Sequence, residues 1–174
     1  TEIRDILACL EKYPNLLLVL NVGGVVDLSP VLSVGNILLL SQTGMTIGDS
    51  LADVVLGKAY PSGKLASTWA KWEDYCPVGD FAQQDDTRYQ EDIYVGYRYF
   101  ETFDVPVAYP FGFGLSYTSF SIRAELAGMA VRAQVTNTGD RPGKEVVQVY
   151  AQIPEGTLEQ PAKRLVAFAK TRLL

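Results

Sequence analysis

The chain has 174 residues, 48% of them hydrophobic and 20% charged, and a formal net charge of −5. That composition belongs to a packed globular chain rather than a disordered one, and an acidic chain without a basic stripe lacks the electrostatic footprint of a nucleic-acid binder. The absence of histidine excludes histidine triads, general bases and metal sites, and two cysteines, Cys9 and Cys76, make no disulfide framework.

In chain order, Ile3, Ile6, Leu7 and Leu10 recur at the spacing of one helix face, and Pro14 and Asn15 stop the pattern. This charged opening does not read as a signal peptide, and a start at Thr1 rather than Met is compatible with a natural start elsewhere. Leu16–Asn21 reads as a strand apolar on both faces, the pattern of a parallel strand covered by helices on each side. Its run Leu16–Leu20 is the longest apolar one and falls far short of the ~20 residues of a membrane span. Gly23–Gly24 follows as a tight turn, and Asn36–Ser41 is a second apolar strand. The loop Ser41-Gln42-Thr43-Gly44-Met45 leads to a helix. Thr46 is its expected cap, with Asp49 completing a capping box. Ile47, Leu51, Val54 and Val55 form the expected buried stripe, and Gly57 suits the left-handed position past the end. Helix, strand, strand, helix with short connections is a piece of an α/β layer, with too few strands to make such a sheet alone.

From Ala70 to Thr118 little regular structure is expected. Ten of the nineteen aromatic residues sit between Tyr94 and Phe120, together with Gly96, Gly112, Gly114, Pro106 and Pro110. Glycine and proline break long regular elements, while the aromatic surface is too apolar to stay in water. The segment therefore wraps over a partner surface. After Thr118 the pattern becomes period two. Phe120–Leu126, Met129–Thr136, Glu145–Ala151 and Arg164–Lys170 read as strands, with turns at Gly128, at Asn137-Thr138-Gly139-Asp140 and at Pro142-Gly143. They begin an antiparallel sandwich, which needs about seven strands. The fold class expected is α/β: a partial α/β layer, a long aromatic connector, then an incomplete β-sandwich. The half-built sandwich suggests a fragment cut at both ends, with edges and apolar faces that favour poor solubility or self-association into a homo-oligomer.

The candidate chemistry is sparse. Two carboxylates suffice to cleave a glycosidic bond, but twenty acidic residues make close pairs uninformative. Asp85-Asp86 reads as a solvated turn. Glu91-Asp92, at the entry to the aromatic stretch, reads as a partner for Arg98 or Arg88. Gly23–Gly24 lacks the three-glycine spacing of a phosphate-binding turn. The loop holding Gln42 and Met45 lies between a strand's carboxyl end and a helix start, where α/β sheets hold ligands; a purely structural loop is the equal alternative. Ser41, Ser50 and Ser62 have no histidine to activate them. Cys76 has only Lys71 as a basic neighbour and reads as inert. Trp69 and Trp72 could stack on a sugar ring, and packing is the commoner use of tryptophan.

Five stretches in this order carry a resemblance. Asn21–Leu28 (NVGGVVDL), Leu51–Gly57 (LADVVLG), Pro61–Leu65 (PSGKL), Tyr94–Phe100 (YVGYRYF) and Tyr109–Thr118 (YPFGFGLSYT) resemble consecutive signatures of glycoside hydrolase family 3. The tail, Val135–Gly139 with Gly143–Tyr150 and Leu165–Lys170, is similar to the start of that family's fibronectin-III-like domain. The resemblance implies that residues 1–69 are the second half of an α/β sandwich domain. Residues 70–118 would be a connector wrapping that domain and a TIM barrel, and 119–174 the first part of the fibronectin-III-like domain. It implies a retaining hydrolase of β-linked glucosides or xylosides, with a barrel aspartate as nucleophile and a sandwich-domain glutamate as acid/base. Neither motif occurs in this chain, so no catalytic residue carries over and the chain by itself is expected to be inactive. Gln42, Met45 and Glu91 remain as candidate substrate contacts. No metal, cofactor, nucleic-acid or membrane partner is expected. Glu91 matches the Glu of a Tyr-x-Glu-Gly motif, but the residue after it is Asp92, costly if the position needs positive φ. Thr46-Ile47-Gly48-Asp49 likewise departs from the usual Gly-rich helix opening. A non-catalytic sugar-binding module, with Trp69, Trp72 and the tyrosines as platform, is the second reading; an α/β nucleotide-binding domain is a third.

Overall fold

A computed structural model describes residues 2–75, 85–154 and 156–174. Cys76 lies outside the described residues. Helix α1 (Glu2–Lys12) precedes strand β1 (Leu17–Leu20), and β2 (Asn36–Leu39) and helix α2 (Ile47–Val55) follow. β1 and β2 pair in parallel, Leu18 opposite Ile37 and Leu20 opposite Leu39. These four residues pack on a core of Leu28, Val31, Val34 and Trp69, which Ile6 and Leu10 of α1 also reach. The other sheet face is more open than the two-sided pattern implies: Leu17 is 42% exposed. A pair of strands has one well-covered face here, because two short helices cannot blanket both.

Helix α2 departs from expectation at its start. Thr46 sits at its N-cap position but makes no side-chain capping bond, so the capping box with Asp49 does not form. Of its stripe, Ile47, Leu51 and Val54 are half-buried, whereas Val55 is exposed. Its end behaves as read. Gly57 has φ +70°, its N–H donates to the Val54 carbonyl at 3.1 Å, and the Lys58 N–H donates to the Asp53 carbonyl at 2.8 Å. That pair of bonds is the Schellman closure.

The connector contains an element the sequence reading omitted, helix α3 (Tyr97–Thr102). Six residues are too few for a helical period to stand out among so many aromatics. The rest is irregular and held by specific contacts. Residues 108–113 run antiparallel to 65–69: Trp69 and Tyr109 exchange backbone hydrogen bonds at 2.8 and 3.1 Å, and the Leu65 N–H donates to the Phe113 carbonyl at 2.8 Å. Gly114 permits this approach. A Cβ there would stand 2.2 Å from the Gly63 carbonyl oxygen, so no other residue fits.

Strands β3 (Phe120–Ala127) and β4 (Ala130–Asn137) form one antiparallel hairpin; β5 (Val146–Ala151) and β6 (Arg164–Lys170) form another. All four lie within a residue or two of their expected positions. The connector grips the second hairpin. The Gln148 side-chain amide donates to the Gly112 carbonyl at 3.0 Å, the Leu165 N–H donates to the Tyr97 hydroxyl at 2.7 Å, and Lys163 pairs with Glu101 at 2.8 Å. Lys64 Nζ meets both Glu145 Oε1 and the Gly114 carbonyl at 2.7 Å. The aromatic segment is thus pinned between the first layer and the β5–β6 hairpin.

Tyr94, where that segment starts, titrates late. Its hydroxyl bonds the Glu159 carboxylate and is partly desolvated, which pushes its pKa from 10.0 to about 12. The folded state holds this proton more tightly than the unfolded state, so the contribution is complete below pH 10 and disappears as pH rises towards 12. A tyrosinate absorbance titration should show a phenol titrating near pH 12 that is missing in Tyr94→Phe. A Tyr94→Phe trace identical to the parent would reject the assignment.

Candidate functional site

The two loops at the carboxyl ends of β1 and β2 are brought together by the parallel pairing. The N–H groups of Leu40 and Ser41 both donate to the Leu20 carbonyl, at 2.9 and 3.3 Å. Ser41 takes φ +58°, turning the chain sharply out of the strand. Gln42 then lies over Gly23, where a Cβ would come 2.9 Å from Gln42 Oε1. Gly23–Gly24 therefore acts as a turn and a close-packing point, rather than as a phosphate cradle: no helix opens behind it. Met45 is fully exposed, three residues beyond Gln42 in the same loop. An amide and a thioether at a strand-end loop can contact a bound ligand by hydrogen bond and dispersion, but neither can move a proton.

Glu91 is half-buried in a separate turn, where the Tyr94 N–H donates to its carbonyl at 2.8 Å. No hydrogen bond or ion pair joins it to Gln42 or Met45 among the described residues. The expected pairing of Glu91 or Asp92 with Arg98 does not occur among those residues either. Asp92 is exposed, and Arg98 turns instead over the Tyr97 ring, its guanidinium carbon 5.9 Å from the centroid. Asp92 does occupy a left-handed conformation, φ +48°. Glycine relieves that strain but regains unfolded-state entropy, so Asp92→Gly should stabilise by about 0.5 kcal/mol. Thermal melting is the check, with an upward shift of about 1–2 °C for a chain of this size; a downward shift would show that the Asp92 side chain has a stabilising role.

The two tryptophans separate. Trp69 is 5% exposed and belongs to the core, so it cannot serve in a sugar platform; Trp72 is 78% exposed and leans on Tyr75 with ring centroids 6.4 Å apart. Asp85 and Asp86 are both exposed, as a solvated turn requires. Among the described residues no three acidic or cysteine side chains gather as metal ligands, and no helix is long and apolar enough to cross a membrane.

The fold is an α/β layer with adjacent strand-end loops, strapped by an aromatic connector to a β-hairpin segment, a class of mixed α/β and all-β parts. The match to known proteins makes this specific. Residues 4–117 match the Glycosyl hydrolase family 3 C-terminal domain, and residues 145–174 match the Fibronectin type III-like domain. The chain belongs to glycosyl hydrolase family 3. It is 43% identical to beta-glucosidase A of Butyrivibrio fibrisolvens, over 94% of this chain and 23% of that protein. It is 41% identical to a beta-glucosidase of Ruminococcus albus, over 94% of this chain and 18% of that one. Beta-glucosidase 3B of Thermotoga neapolitana superposes with a TM-score of 0.89 at 38% identity, over 99% of this chain and 26% of the other. A family 3 beta-glucosidase of Bifidobacterium adolescentis superposes with a TM-score of 0.92 at 36% identity, over 99% and 27%. The chain spans about a fifth to a quarter of the length of these relatives.

Proposed function

We propose that this chain is the C-terminal part of a retaining β-glycosidase that hydrolyses O-glycosyl bonds of β-glucosides or β-xylosides. Near-complete alignment of the chain with beta-glucosidases, at 43% identity in the nearest case cited, carries the reading. In it, residues 1–69 complete an α/β sandwich domain, 70–118 wrap that domain and a TIM barrel, and 119–174 open the fibronectin-III-like domain. Gln42 and Met45 would line one wall of the cleft, with Glu91 near its rim. The reacting carboxylates would be supplied by other parts of the protein. The test is a chimera in which this chain replaces the aligned part of the Thermotoga neapolitana enzyme. Turnover of an aryl β-glucoside is expected from the folded chimera and none from this chain alone. A folded, inactive chimera, or turnover by this chain that disappears in Glu91→Gln, would reject the proposal.

The exposed Trp72 and Tyr89, 78% and 85% accessible, favour a second reading as a non-catalytic sugar-binding module. Calorimetry with cellobiose and xylobiose decides it: absence of heat at millimolar ligand rejects the module. Self-association of the isolated chain is also expected, because Phe168 on β6 is 71% and Leu126 on β3 is 76% exposed. Sedimentation should show oligomers; a monodisperse monomer with cooperative melting would reject this.

A further inference from the structure

Arg98 and Thr68 open onto one cleft of about 340 Å³, walled by Val25, Tyr75, Tyr97 and Phe111. Arg98 Nε and Thr68 Oγ1 are both buried, and neither has a hydrogen-bond partner among the described residues. Thr68 is 4% exposed as a whole residue. Arg98 makes no ion pair among the described residues; it rests on Tyr97, whose own position is fixed by stacking on Phe111 with centroids 4.7 Å apart and by the bond from the Leu165 N–H. A guanidinium is thus held on a rigid aromatic platform in the same cleft as a sequestered hydroxyl, with its Nε–H unspent.

Burying a charged donor without an acceptor is costly, and native interiors seldom leave one so. Arginine has donors only, and a threonine hydroxyl can donate as well. The chemistry that satisfies both is a planar, singly charged acceptor, which a carboxylate supplies in the geometry arginine matches best. The aromatic and aliphatic walls suit the methylene stem of a side chain behind that carboxylate. Glu101, the nearest acid in sequence, pairs with Lys163 instead, and Glu91, Asp92 and Asp104 leave the guanidinium unpaired. The relatives, of which this chain spans 18–26%, carry most of their polypeptide outside the aligned part.

We propose that the Arg98–Thr68 cleft is a docking point for an aspartate or glutamate side chain from a polypeptide segment outside these 174 residues. This rests on the reading of the chain as part of a longer glycosidase. The occupant is a protein carboxylate rather than a sugar or a free anion: the cleft provides one full positive charge and the hydroxyls of Thr68 and Ser67, set among mainly aliphatic and aromatic walls.

The test uses the 174-residue chain labelled with ¹⁵N-arginine, following the Arg98 Nε–Hε resonance. The probes are N-acetyl-Gly-Asp-Gly-amide, its Asn counterpart and sodium acetate, at constant ionic strength. The Asp peptide should move the resonance saturably at millimolar concentration, about tenfold more tightly than the Asn peptide. Thr68→Val, folded by its amide spectrum, should weaken the Asp peptide about threefold. Equal response to the two peptides, no response to either, or acetate binding as tightly as the Asp peptide overturns the proposal, the last in favour of a small-anion site. A second measurement is the melting midpoint of Arg98→Met. It should stay level or rise, because an unpaired buried charge is removed; a clear fall would show an internal partner and overturn docking. No sugar enters these measurements, so an active chimera with a silent Arg98 resonance rejects the docking point alone, and an inactive chimera rejects the glycosidase reading.

Discussion

Trp69→Ala is expected to lower stability by about 3–5 kcal/mol, the usual cost of deleting a buried indole. For a chain of this length that is a fall of about 10 °C in melting midpoint. The magnitude follows from position. Trp69 is 5% exposed and packs with Leu28, Val31 and Val34, the cluster on which β1, β2 and α1 converge. Its backbone also pairs with Tyr109, so a collapse at this site loosens the connector as well as the layer. Trp72→Ala is the control. That indole is 78% exposed, and its loss should cost no more than about 0.5 kcal/mol. Thermal melts of the two variants give the comparison. Similar shifts for both would mean that the core is not centred on Trp69.

Lys64→Met is expected to cost about 3 kcal/mol in a urea titration. Lys64 and Glu145 have side chains 18% and 16% exposed, and their charged atoms are 2.7 Å apart. Removing the ammonium leaves a largely buried carboxylate without its counter-charge, which is the expensive way to break such a pair. It also removes the donor to the Gly114 carbonyl, the bond that holds the connector's close approach to Gly63. Glu145→Leu should be destabilising in turn, since Glu145 Oε1 also accepts the Val146 N–H at 2.6 Å. The double variant should be less unstable than the two single costs predict, by about 1–3 kcal/mol of coupling. Additivity within about 0.5 kcal/mol would show that the pair does not couple the first layer to the β5–β6 hairpin.

Much of this protein is legible along the chain, and much is not, for a definable reason. Period-two alternation places β3 to β6 within a residue or two, because in a strand the side chain's face is set by parity alone. The helical stripe of α1 and the glycine stop of α2 are equally local signals. The motif order identifies the family without any coordinates, and composition alone removes histidine chemistry.

Other features depend on partners distant in sequence. Thr46 and Asp49 have the right spacing for a capping box and do not make one. Trp69 and Trp72 are equivalent in local sequence, yet one is core and the other is surface. Arg98 has two acids a few residues upstream, but the turn of Glu91–Tyr94 and the start of α3 direct it over Tyr97 and into a cleft shared with Thr68. The candidate site divides the same way. The strand-end position of Gln42 and Met45 follows from element order, whereas the packing of Gln42 over Gly23 needs the parallel pairing of β1 and β2. The sequence by itself determined the elements other than α3, the family and the absence of histidine chemistry, since those rest on residue type and short spacing. Only the tertiary structure decided which tryptophan is buried, how Lys64 meets Glu145 and what Arg98 faces, because burial and charge pairing are set by segments the chain brings together after folding.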